Sequence, residues 1–230
     1  MVPDPAPQAS DLTADQLIAK YAAARGGEQK LKSIRSTTMT GAWEPISGGS
    51  NPIVVMVAPG RYMRRIAHVM TNVVDGQTTW ETNTLNGMTE PMPMSSKAVP
   101  RFRHSADPQG PLVDPKAKGN KIEVVGKQPW RGSQVYKLKV TLSDRAVSFF
   151  YLDAKSFLLV RSVSRMYVPQ MDKTVDMEMT YRDFRDVDGV KWPFTEESNA
   201  PETGFKYTIT WTAIDINKPL DESAFKMPKS

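Results

Sequence analysis

Thr174–Phe194 reads TVDMEMTYRDFRDVDGVKWPF. Its first half alternates. Val175, Met177, Met179 and Tyr181 fall on one side of an extended chain, and Asp176, Glu178, Thr180 and Arg182 on the other. Successive side chains of a strand point to opposite faces, so this pattern describes a strand with one greasy and one polar face. Asp188-Gly189 follows, a pair that tolerates positive φ at both central positions and closes a tight hairpin. Asp183 shares a side with Arg185, and the carboxylates are interspersed with Arg182 and Arg185. They are screened surface charges and turn-formers, not an acid–base or metal cluster.

The same period of two recurs outward from this stretch. Tyr136, Leu138, Val140 and Leu142 alternate with Lys137, Lys139 and Thr141; Phe205, Tyr207, Ile209 and Trp211 alternate with Lys206, Thr208, Thr210 and Thr212. Further strand pairs flank turns at Ala58–Arg61, at Asp75-Gly76 and within LDAKS. About ten or eleven strands in chain order predict an antiparallel meander. Before them, LTADQLIAKYAAARGG predicts a helix with Thr13 and Gln16 as a capping box and Gly26-Gly27 as its stop. EQKLKSI predicts a second short helix. The Pro- and Met-rich insertion Gly87–Gly119 predicts short helices around Pro100–Ala106 and Pro111–Lys116. With no linker or repeat in view, we expect a flexible lead-in over residues 1–10 and one domain over 11–230.

Composition removes several function classes. Hydrophobic residues make up 40% and charged residues 24%, values of a folded domain and not of a disordered chain. A net charge of +5 is spread along the chain, without the concentrated stripe that nucleic acid requires. Cysteine is absent, which excludes disulfides, thiolate metal sites and Cys nucleophiles and suits an oxidising compartment. The Pro-rich start MVPDPAPQAS is expected to be a mature N-terminus from which a targeting segment has been removed. Thirteen methionines provide adaptable apolar contacts, either as ordinary core filling or on a surface that receives variable partners.

No catalytic constellation stands out. The two histidines, His68 and His104, lie in no HExxH or related pattern; the Ser47–Asn51 stretch SGGSN lacks the nucleophile-elbow form. Neither GxGxxG nor a P-loop is present, so no nucleotide cofactor is expected. We expect no catalytic residues, no metal and no enzyme activity.

Shape is what remains. A long antiparallel sheet must bury its apolar face, and two small helical elements cannot cover ten strands as a full layer would. If the sheet curls and the helices plug its opening, the enclosed space is lined by Val55, Val57, Leu138, Phe149, Met177, Met179, Tyr207, Ile209 and Trp211. The competing arrangement has these side chains meeting one another and leaving no void.

The order of motifs carries a resemblance. ARGGEQKLKSI runs into STTMTGAW; VAPGRYMRRI, VVDGQTTWE and a Pro-rich insertion with DPQGPLVD follow; then come VVGKQPWRGSQVYKLKVTL, FFYLDAKSFLLVRSVSR, YRDFRDVDGVKWPF and IDINKPLDESAFKMP. From Leu12 to Pro228 this resembles the LolA-like, outer-membrane lipoprotein-sorting superfamily of bacterial periplasmic proteins, in its branch of stand-alone members. The resemblance implies a mainly β (α+β) fold: a strongly curved, unclosed antiparallel half-barrel whose mouth is covered by short helices, in the periplasm. It also implies a hydrophobic cavity that takes a lipid or lipoprotein acyl chain.

On that expectation the protein is a carrier. The Gly87–Met94 loop forms part of its lid, with Met88, Met92 and Met94 as adaptable contacts. Arg61, Arg64 and Arg65 are candidates for lipid-headgroup contact. The alternative is a solidly packed envelope module that docks an inner- or outer-membrane protein partner.

Overall fold

The computed structural model describes residues 5–228. Helix α1 (Ala14–Arg25) begins at the expected cap: the Gln16 backbone N–H donates to Thr13 Oγ1 at 3.3 Å, and the Thr13 N–H donates to Gln16 Oε1 at 2.8 Å. It stops at Gly26, whose φ of 121° favours glycine and where a Cβ would lie 2.1 Å from the Gly189 carbonyl oxygen. Helix α2 (Glu28–Lys32) follows directly.

Six strands then run in succession: β1 (Thr37–Pro45), β2 (Asn51–Ala58), β3 (Arg61–Ile66), β4 (Met70–Asp75), β5 (Thr78–Asn83) and β6 (Met88–Pro93). After helix α3 (Val99–Ser105) come β7 (Lys121–Trp130), β8 (Ser133–Thr141), β9 (Val147–Asp153), β10 (Leu159–Val168), β11 (Lys173–Val187), β12 (Val190–Ala200) and β13 (Phe205–Ile216). They form one sheet in the order β6-β5-β4-β3-β2-β1-β13-β12-β11-β10-β9-β8-β7. Two meanders are thus joined where β1 pairs with β13, and β6 and β7 are the edges. The sheet is not closed into a barrel; this open order is the one an unclosed half-barrel requires.

The opening stretch forms the hairpin read from it. Val187 pairs with Val190, Asp188 and Gly189 take φ of 51° and 76°, and the Gly189 N–H donates to Asp186 Oδ1 at 2.7 Å. Asp183 is held by Arg185 at 2.6 Å.

Several details differ from the sequence reading. Among the described residues thirteen strands are present where ten or eleven were expected; β6 is one that the insertion concealed. Pro111–Lys116 forms turns and not a helix, because Asp114 takes a φ of 50° that interrupts any helical run. Residues 1–4 of the lead-in lie outside the described residues. Gln8 is tied to β7 by paired backbone bonds with Lys127 of 2.8 and 2.9 Å. The chain divides into two compact units: residues 1–33, 111–165 and 175–206, and residues 34–110, 166–174 and 207–230.

In the first unit α1 packs against β7 and β12, burying Leu17, Tyr21 and Ala22. Leu138, Val140 and Leu152 are fully buried. The opposite face is less wet than the alternation implied. Arg161, only 3% exposed, donates to Glu178 at 3.0 Å, and its guanidinium lies 4.4 Å from the Tyr151 ring centre. Thr180 is buried beside them and donates to Glu197 at 3.1 Å.

In the second unit β2 to β5 are covered on both faces. On one face Met63, Val73 and Trp80 pack with Ala224 and Phe225 of the C-terminal turn. The Trp80 indole N–H donates to the Phe225 carbonyl at 3.1 Å. The other face is the apolar wall described next.

Candidate binding site

Register builds the wall within the second unit. Val55 opposes Met39, Val57 opposes Thr37, Trp43 opposes Ile209, and Gly41 opposes Trp211. Directly opposed residues share a face, so Val55, Val57, Tyr207, Ile209 and Trp211 come together on one surface with Trp43. Trp43 and Tyr207 meet with ring centres 5.9 Å apart. Gly41 sits at a register shift where a Cβ would fall 2.2 Å from the Thr210 carbonyl oxygen, so only glycine lets β1 and β13 approach so closely. Each of the five expected lining residues of this unit is 5% exposed or less.

In the first unit Leu138 opposes Phe150, which opposes Ser162. The Ser162 and Tyr181 hydroxyls are hydrogen-bonded at 3.0 Å, placing Met177 and Met179, of Tyr181's parity, on Leu138's side of the sheet. Met177 is buried and Met179 half-buried. Phe149 separates from this group: it opposes Lys139 on the other face, and Lys137 Nζ lies 4.8 Å over its ring. The stretch VSFFY offers two adjacent phenylalanines, and strand alternation sends them opposite ways; Phe150 is the one beside Leu138.

The expected lid segment is an edge strand. Met92 opposes Glu81 and Met88 opposes Asn83, so both lie on the wall's face of the sheet; Met92 is 50% exposed and Met88 half-buried. Met94 is buried, and its N–H donates to the Thr79 carbonyl at 3.2 Å. That bond turns the neighbouring Pro93 nitrogen outward, where proline sacrifices no ladder bond and blunts the edge.

The three arginines diverge. Arg61 pairs with Asp75 at 2.8 Å and with both carboxylate oxygens of Glu222, at 3.0 and 2.8 Å. Arg65 shares Arg61's parity and is exposed. Arg64 alone is on the wall's face, between Val55 and Asn72.

Around Arg64 lies a polar group that sequence reading did not assemble. Its Nη2 and Nε donate to Asn72 Oδ1 at 2.6 and 3.2 Å, and Asn72 Nδ2 donates to Glu81 Oε2 at 3.0 Å. Burial pushes the Glu81 carboxyl above its ordinary range, against the Asn72 hydrogen bond and the attraction of Arg64. Helix α3 packs against β3 and β4 and brings Phe102 to 6.0 Å from the Tyr62 ring centre. Arg64 and Arg101 lie 5.5 and 5.3 Å from the Phe102 ring centre. Arg101 Nη1 also donates to Met166 Sδ at 2.7 Å. Desolvation, followed by repulsion from Arg64, moves the Arg101 guanidinium down from its ordinary range, while Tyr207 and Tyr62 act the other way. The one sequence signal for this group was PRFRHS, an aromatic between two arginines in a helix opened by proline.

Two hollows in the first unit, of about 220 and 440 Å³, contain none of the expected lining residues. The smaller lies among Ile18, Ala22, Leu112 and Val113, the larger by Pro129, Gln134 and Lys155. Among the described residues there is no group of three or more His, Cys, Asp or Glu able to hold a metal ion. No helix among them is long and apolar enough to cross a membrane.

Solved structures match over nearly the whole chain. A LolA superfamily protein from Nitrosomonas europaea aligns over 94% of this chain and 98% of its own, with a TM-score of 0.56 and 11% identity. The fold is LolA-like. An outer membrane lipoprotein-sorting protein domain from Vibrio parahaemolyticus gives a TM-score of 0.57 at 10% identity, covering 93% of this chain and 95% of its own. A DUF1329 family protein from Desulfovibrio piger gives 0.59 at 12% identity, over 93% and 97%. No protein-family profile and no curated protein matches the sequence. At such identities the LolA-like likeness concerns the fold, and cargo has to be argued from the site.

Proposed function

We propose that the protein is a non-enzymatic periplasmic binding protein that takes up the acyl chain of a lipid or a lipoprotein anchor on this apolar wall. The observation that carries the reading is the extent of the apolar wall within the second unit, beside which helix α3 is short. The wall gathers Trp43, Val55, Val57, Tyr207, Ile209 and Trp211 on one face, and β13 alone, at 12 residues, is about 40 Å long. Helix α3 has 7 residues and is therefore about 10 Å long. The LolA-like fold, found also in a lipoprotein-sorting protein domain, supports the same reading.

The deep burial of the wall defines the step that binding needs. The bound chain must replace contacts the wall now makes, and α3, which packs against β3 and β4 beside it, is the element proposed to yield. A sixteen-carbon chain removed from water gains about 12 kcal/mol at about 0.8 per CH₂. A membrane offers the same gain, so a carrier must nearly match the bilayer and still release. A short helix held by one buried aromatic, Phe102, is a cover that can open at moderate cost.

The test is titration of the protein with a fluorescent fatty acid. Saturable one-to-one binding is expected, weakened by Ile209→Trp. The same burial also favours a second reading, a packed envelope module that docks a protein partner. That reading is supported if no probe binds and partner affinity falls steeply with salt.

A further inference from the structure

We infer that Arg64 and Arg101, both set against the Phe102 ring, form a recognition point for the anionic headgroup, carboxylate or phosphate, of the ligand. The inference deepens the acyl-binding reading and, for the headgroup, rests on it.

Position is the first argument. Of the arginines in RYMRR only Arg64 is on the wall's face, opposing Val55. Arg61 is committed on the other face to Asp75 and Glu222. Arg101 reaches the same place from α3, so one cation belongs to the wall and the other to its cover. A ligand anion that bridges them would tie the closing of α3 to the presence of a headgroup.

Charge is the second. Two guanidiniums converge on one ring in an apolar setting, at 5.5 and 5.3 Å from its centre. Like charges brought together out of water disfavour one another, and an anion between them relieves both the repulsion and the desolvation. The nearby acid, Glu81, is bonded through Asn72 and is itself held in an environment that disfavours its charged form.

Chemistry is the third. Guanidinium groups present forked donors that match carboxylate and phosphate oxygens. Arg64 is oriented by Asn72, and both guanidiniums lie against the Phe102 ring. Preorganised donors of this kind favour an anion over a neutral group on the same chain.

The experiment is calorimetric titration of the full chain with palmitate, hexadecanol, a palmitoyl lysophosphatidate and inorganic phosphate. Wild type, Arg64→Met, Arg101→Met and, as a control, Arg61→Met are compared. Palmitate and the lysophosphatidate are expected to bind about tenfold or more tightly than hexadecanol. Arg64→Met and Arg101→Met should remove that preference while hexadecanol binding stays, and Arg61→Met should keep it. Equal wild-type affinity for palmitate and hexadecanol overturns the inference without needing any variant to fold, and so does a preference that survives both substitutions. If no chain-bearing ligand binds, the acyl reading fails, and inorganic phosphate decides the anion point. Phosphate binding lost in Arg64→Met retains it as a free-anion site, and absence of phosphate binding removes it.

Discussion

The Arg61 guanidinium lies 4.1 Å from the centre of the Phe225 ring. The same side chain grips Glu222 with two hydrogen bonds and Asp75 with a third. An arginine that sequence reading offered to a lipid phosphate is therefore a clasp for the C-terminal turn. Phe225, 1% exposed, is the weight that clasp holds. Phe225→Ala should destabilise the second unit by about 3 kcal/mol or more, whereas Arg61→Ala should cost only about 1 kcal/mol, because its carboxylate partners are exposed. Urea denaturation of the two variants checks the ranking, and equal losses would contradict it.

Arg161 and Glu178 form an ion pair with side chains 4% and 13% exposed. Removing one partner leaves a charge buried without its counterion, so Glu178→Ala should cost about 3–5 kcal/mol. Replacing both, as Arg161→Met with Glu178→Leu, should recover most of that loss, since burying the pair is itself costly. A double variant no more stable than Glu178→Ala would show that the pair contributes more than it costs.

Glu81 gives a pH dependence whose sign follows from burial. Its carboxyl is held above the ordinary glutamate range, so the folded protein binds that proton more tightly than the unfolded chain. The stability it contributes is complete below the ordinary value and is lost as pH rises through the folded one. Glu81→Gln should therefore gain on wild type between acid and neutral pH. Denaturant midpoints at pH 4 and pH 7 measure this; parallel profiles would refute it.

Asp11 has the opposite sign. The Tyr136 hydroxyl donates to Asp11 Oδ1 at 2.8 Å, which draws the carboxyl below its ordinary range, while burial and this bond push the phenol up to about 12. Stability from Asp11 is present above the ordinary aspartate value and is lost as pH falls through the folded one. Tyr136→Phe should return the Asp11 carboxyl toward its ordinary value in an NMR titration. An unmoved carboxyl would mean the bond is not formed in solution.

Local chemistry made much of the fold legible. The Thr13–Gln16 box, the Asp188-Gly189 turn and the Pro59-Gly60 turn between β2 and β3 depend on neighbours in the chain, and each forms where the residues indicate. Alternation also placed Val55, Val57, Tyr207, Ile209 and Trp211 together, because one face of a register carries them all. What stayed hidden depended on partners distant in the chain. Nothing in VSFFY tells which phenylalanine faces Leu138. Nothing in RYMRR tells that Arg61 meets Glu222, 161 residues on, while Arg64 turns to Asn72 and Phe102. Met88 and Met92 lie in a Pro-rich stretch that reads as a loop, and only pairing with β5 makes it a strand.

The most direct measurement is native mass spectrometry of the delipidated protein with palmitate, on wild type, Ile209→Trp and Phe149→Trp. A single acyl adduct is predicted for wild type and Phe149→Trp, with about tenfold weaker uptake by Ile209→Trp, whose added bulk fills the wall. Absence of an adduct on wild type, or equal uptake by Ile209→Trp and Phe149→Trp, would contradict the account.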